Sequence, residues 1–142
     1  MRQRRGDDVF ESAMRSLDFD HFGSGAHKMS LADLLAAQDA VFLDVRADEE
    51  RQALTLPLDG MGIPQLHIPI DQVPDRTGEI PRDRMIGVFC PTVVRSSIVY
   101  AYLLSLGYER VRIIDGGYPG VVSEFLPGKL RTHRQRAAQP VA

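Results

Sequence analysis

The one cysteine of the chain, Cys90, stands where a thiol can become a nucleophile. Before it, Met85-Ile86-Gly87-Val88-Phe89 is an apolar run of strand length, without the polar alternation of a half-exposed strand. After it come Pro91-Thr92-Val93-Val94-Arg95, and from Ser96 an apolar segment long enough for a helix runs to Gly107. The pattern predicts a strand-to-helix turn at Cys90. The first N–H groups of a helix have no intrahelical partner and carry the positive end of its dipole, so an anionic sulfur is stabilised there. The chemistry this points to is attack by a thiolate. Arg95, one helical turn on, adds a fixed cation and a fork of donors for an oxyanion or a thiolate. The competing reading of the same residues is a small buried hydrophobe, the role of most lone cysteines.

Little else in the sequence could do chemistry. A single cysteine allows neither an internal disulfide nor a cysteine-based zinc site. His21, His27, His67 and His133 lack the i, i+4 spacing of a helical metal pair, so no metal and no cofactor are expected. A formal charge of −2 with 25% charged residues asks for neither nucleic acid nor an anionic membrane as partner. No run approaches transmembrane length, and the arginines at the start have no apolar segment behind them, so a cytoplasmic protein is expected.

The elements that must position Cys90 are legible as an alternation. Residues 1–26 form a polar extension in which Phe10, Met14 and Leu17 recur at helical spacing, predicting a short amphipathic helix that docks on the domain or on a partner. His27-Lys28-Met29 reads as a short edge strand. Ser30 with Asp33, flanked by Met29 and Leu34, signals a helix start, and Leu31, Leu34 and Leu35 give that helix one buried face. Val41 to Arg46 is a second strong strand, and Ala47 to Ala53 a short helix with Asp48, Glu49 and Glu50 in its first turn. Arg46 and Glu50, four apart, are placed to pair. Residues 57–64 read as loop, Leu66 to Ile68 as a short strand, and Asp71 to Arg84 as turns with at most one helical turn, because of Pro74, Gly78 and Pro81. Val111 to Ile114 is a third clear strand, Asp115-Gly116-Gly117 a turn, and Tyr118 to Phe125 a helix with Pro119 early in it. Residues 128–142, with Lys129, Arg131, Arg134 and Arg136, read as a basic, disordered tail. The alternation implies an α/β domain over residues 27–127, an open parallel sheet of about five strands with helices on both faces. Ligands of such sheets bind at the carboxyl ends of the strands, where both Cys90 and Asp44 to Arg46 lie. Asp44 and Arg46 read as structural, and Gly116 and Gly117 as backbone geometry.

In this order the motifs resemble a single-domain rhodanese, the sulfurtransferase module. The resemblance rests on Leu43-Asp44-Val45-Arg46 with acids at Glu49 and Glu50, on Cys90 to Arg95-Ser96 after an apolar strand, on Leu106-Gly107-Tyr108, and on Val111 to Gly117 followed by the aromatic Tyr118. It covers residues 27–127. It implies a rhodanese-like fold, with Cys90 taking a sulfane sulfur from thiosulfate or a persulfide and passing it to a thiol or other thiophilic acceptor, which can be a protein. Cys90 and Arg95 would then be catalytic, and the loop of Pro91, Thr92, Val93, Val94 and Ser96 would cradle the persulfide. The family often has glycine where this chain has Val93, and Pro91 removes one N–H from the cradle. A valine there either keeps another conformation or is strained.

Two other functions compete. Protein phosphatases also set a cysteine and an arginine around an anion, but with five residues between them and usually a histidine before the cysteine. Here four residues intervene and Phe89 precedes. A catalytically weak or silent rhodanese-like domain that binds a partner or regulates is the alternative that Pro91 and Val93 support.

Overall fold

The computed structural model describes residues 4–139, so the first three residues of the N-terminal extension and the last three of the C-terminal tail lie outside the described residues. Five parallel strands form one sheet in the order β1-β5-β4-β2-β3: β1 Lys28–Met29, β2 Ala40–Asp44, β3 Gln65–His67, β4 Met85–Phe89 and β5 Val111–Ile114. In the middle of the sheet β4 pairs with β2 from Ala40↔Met85 to Asp44↔Phe89, and with β5 from Ile86↔Val111 to Val88↔Ile113. Of the three central strands, β4 is a continuous apolar run and β2 is apolar up to Asp44, because both faces are covered, while β5 carries a half-buried Arg112.

Successive strand residues face opposite ways, and this divides the core in two. Val41, Leu43 and Val45 with Ile86, Val88 and Cys90 join Val99, Tyr100 and Leu103 of helix α6 (Val94–Ser105). Ala40, Phe42, Phe89 and Ile114 face the other way, onto Leu31, Leu34 and Leu35 of α3 (Leu31–Ala36) and Val121 of α7 (Gly117–Val122). Ser30 caps α3 as its sequence signalled, its hydroxyl accepting the Asp33 N–H at 3.0 Å. Gly87 lets α3 lie close, since a Cβ there would come within 2.6 Å of a Leu34 methyl and 2.7 Å of one on Ile114.

Three regions differ from the sequence reading. Residues from Ile70 to Glu79 are helical almost throughout: two 3₁₀ turns, Ile70–Gln72 and Thr77–Glu79, flank α5 (Val73–Arg76). Pro74 ends nothing, because it falls in the first turn of α5, where a missing N–H is harmless. The basic stretch after Pro127, expected to be a disordered tail, is helix α8 (Pro127–Ala137). Its charges hide a docking edge: Leu130 packs on the second core, and buried His133 meets the carboxylate of buried Glu124 at 2.8 Å. In the N-terminal extension, α1 (Arg4–Arg15) does pack on the domain, against α6, but through Ala13; of the expected apolar stripe, Phe10 and Met14 are exposed, and Leu17, just beyond the helix, is partly buried against the first core. A small residue at the contact permits closer approach than either large one. The short α2 (Phe19–Gly23) follows, capped by Asp18.

Candidate functional site

Cys90 is the first residue beyond β4, and the strand alternation turns its side chain toward α6, where it is 1% exposed. The turn closes through Val93, whose φ of 62° and ψ of 0° make it the only non-glycine with positive φ among the described residues. A β-branched side chain in that region is strained. This resolves the question that the valine posed: the loop takes the left-handed conformation and bears the strain. Val93 also caps α6, its carbonyl accepting the first intrahelical bond from the Ser97 N–H at 3.0 Å. The Ser96 N–H, one of the partnerless donors of that first turn, points back to Cys90 Sγ at 3.2 Å. The Ser96 hydroxyl lies 3.4 Å from the same sulfur.

The other side of the loop is held by α7. The Pro91 carbonyl accepts the Tyr118 N–H at 3.0 Å, an approach that requires a glycine at 117, since a Cβ there would collide with that same carbonyl oxygen. Gly116 and Gly117 have φ of 84° and 56°, in the left-handed region that glycine reaches without strain. Pro91 has no N–H, while the N–H groups of Thr92 and Val93 donate to no backbone or side-chain acceptor among the described residues. Thr92 and Val94 face solvent.

Beneath the loop, Arg46 and Asp44 are each 1% exposed. The Arg46 Nε donates to both carboxylate oxygens of Asp44 at 2.9 and 3.0 Å, and Nη2 adds a bond of 2.7 Å. Its Nη1 donates to the Leu54 carbonyl at 2.8 Å and to the Tyr118 hydroxyl at 3.1 Å. The guanidinium also lies 5.5 Å from the Phe89 ring centroid and 5.7 Å from that of Tyr118. One buried cation thus ties the end of β2 to α4 (Asp48–Ala53) and to α7, on the two sides of the cysteine loop.

The side-chain pair expected between Arg46 and Glu50 does not form. Asp44 takes the Arg46 fork, and Glu50 reaches Arg95 instead, in a bidentate pair of 2.6 and 2.9 Å. Both members keep about a third of their side chains exposed, at 33% for Arg95 and 34% for Glu50. Hydrogen bonding by Arg95, helped by the Ala47 N–H, holds the Glu50 carboxyl down at about 2. In return Glu50 raises the Arg95 guanidinium further above its ordinary value. Arg95, the cation expected to serve Cys90, already carries a counter-ion. No local spacing could have signalled this, because Glu50 and Arg95 lie 45 residues apart. Among the described residues no three histidine, cysteine or acidic side chains converge as a metal site.

Comparison with known proteins bears on the family and the fold. The model of the rhodanese-like domain matches residues 28–124. A sulfurtransferase of Allochromatium vinosum is 35% identical over 99 residues, which make up 69% of this chain and 87% of the relative. A tRNA sulfurtransferase of Aeromonas salmonicida is 28% identical over 110 residues, and this chain spans 22% of it. Among solved structures, a rhodanese-related protein from Thermoplasma volcanium superposes with a TM-score of 0.57 at 22% identity, over 71% of this chain and 95% of that one, a likeness of fold. With its parallel sheet, its cysteine at the end of β4 and this match over most of its length, the chain belongs to the rhodanese-like domain family.

Proposed function

We propose that the chain is a sulfurtransferase or sulfur carrier in which Cys90 is the sulfur-bearing residue. The observation that carries this reading is the placement of Cys90 Sγ against the Ser96 N–H at the start of α6, a position that favours an anionic sulfur. After the thiol has given its proton to solvent, the Cys90 thiolate attacks the outer sulfur of thiosulfate. A sulfur–sulfur bond forms to Cys90 as the bond to the sulfite sulfur breaks, and sulfite leaves with the electron pair. The persulfide then carries the negative charge on its outer sulfur, which the Thr92 and Val93 N–H groups are free to bind. An acceptor thiolate attacks that outer sulfur, leaves as a persulfide, and restores the Cys90 thiolate. An organic persulfide can replace thiosulfate as donor, with a thiolate in place of sulfite as leaving group. Arg95, in the first turn of α6 and a third exposed, is the cation nearest in sequence for a charged donor to meet beside the loop.

The test is intact-mass measurement after incubation with thiosulfate. One added sulfur is expected, removable by cyanide or a dithiol and absent from Cys90→Ser. Absence of any adduct with both thiosulfate and an organic persulfide would overturn the proposal in favour of a silent binding module, the reading that Pro91 and the strained Val93 support.

A further inference from the structure

The Glu50–Arg95 pair joins α4 to the first turn of α6, directly after the Cys90 loop. The buried tie between β2, α4 and α7 is made by Arg46 and Asp44, whereas Glu50 and Arg95 remain a third exposed. Both terminal nitrogens of Arg95 are occupied by Glu50. An anionic donor approaching Cys90 therefore meets a cation whose fork is taken and a carboxylate beside it. We infer that Glu50 sets the charge selectivity of the Cys90 site, neutralising Arg95 so that donors of low charge are favoured over strongly anionic ones such as thiosulfate. The inference rests on the reading of Cys90 as the reactive sulfur. Glu50 acts through Arg95 and is a positioning residue. Its carboxylate, held at about 2, stays ionised at every working pH, so the selectivity is a fixed property of the site and not a switch.

The pair can be tested without sulfur chemistry, because Cys90 is the sole thiol. Iodoacetamide and iodoacetate are nearly equal in size and lose iodide in the same way, but only the second is charged. Both are attacked by the same thiolate, so the ratio of their rates cancels its population and reports the local field alone. Glu50→Gln keeps an oxygen for the Ala47 N–H and should raise the iodoacetate-to-iodoacetamide ratio about 3- to 10-fold at low salt, as one unit charge several ångströms away implies at intermediate dielectric. The rise should shrink in about 1 M salt. Glu49→Gln, which alters an exposed neighbour on the same helix, should leave the ratio near that of the native protein. Arg95→Gln, which strips the cation and leaves the carboxylate, should lower it, and it serves as an independent arm if Glu50→Gln does not fold. An unchanged ratio in Glu50→Gln, or an equal rise in Glu49→Gln, would overturn the inference. A shifted ratio without any sulfur adduct would support the charge selectivity and overturn the sulfurtransferase reading. A normal adduct with an unchanged ratio would do the reverse.

Discussion

Val93 concentrates the question of how this loop is built. At a φ of 62° the strain of a residue with a Cβ is on the order of 1–2 kcal/mol, and glycine relieves it. Against that, Val93 packs partly against the first core, and a glycine would forgo about 1 kcal/mol of burial and a further ~0.5–1 kcal/mol of backbone entropy. The terms nearly cancel, so Val93→Gly should unfold within about 1 kcal/mol of the native protein. Val93→Ala loses the same packing while keeping most of the strain, and should be the less stable of the two. Denaturant midpoints check this, and the usual order, alanine above glycine, would show that position 93 is not left-handed in solution. Because the valine already holds the conformation a glycine would, Val93→Gly should change the rate of sulfur uptake by less than about tenfold, far less than loss of several donors would.

At the scale of elements, the cysteine loop is only as well placed as the β5–α7 turn beside it. Gly117→Ala puts a Cβ into the Pro91 carbonyl and a side chain at a φ of 56°. Strain and the loss of the Tyr118 N–H bond to Pro91 together imply a cost on the order of 2–4 kcal/mol. The expected result is a lower melting temperature together with slower alkylation or sulfur uptake at Cys90, and a native-like value of either would refute the dependence of the loop on this turn. What could be read from sequence follows the range of the interaction. The apolar run before Cys90, the cap at Ser30 and the glycines after Asp115 act within a few residues, and their spacing announces them. The Glu50–Arg95 pair and the Glu124–His133 contact depend on which elements the fold brings together. The basic and polar residues that surround them in α8 hid Leu130 and His133, which share one helix face, and composition alone suggested a tail.

Among the described residues, every carboxyl group whose titration is clearly displaced moves the same way. Asp39 is held down by hydrogen bonds from Arg110, Glu79 by hydrogen bonds from Arg76, and Glu50 by those from Arg95, the last reaching about 2. Glu124 is held down by His133 and Lys129 against the opposing effect of its burial. A carboxyl with a depressed folded value stabilises the native state above its unfolded value, about 4, and that stability is lost as pH falls through the folded value. The unfolded chain binds more protons in this window, so folding weakens as pH falls from about 5 toward 2. His27, lowered chiefly by burial, acts in the same sense at higher pH: the unfolded chain takes up its proton first as pH falls below about 6.5. Asp39 and Glu79 keep 43% and 46% of their side chains exposed and Glu50 34%, so solvent screens these pairs and each contributes modestly. Their common sign makes the sum visible: melting temperature should fall steadily below about pH 5. Glu50→Gln removes the group with the largest displacement, and its melting temperature should converge on that of the native protein as pH approaches 2, where the native Glu50 is itself becoming protonated. A difference between the two that stays constant from pH 7 to pH 2 would mean that the Glu50 charge contributes nothing to folding.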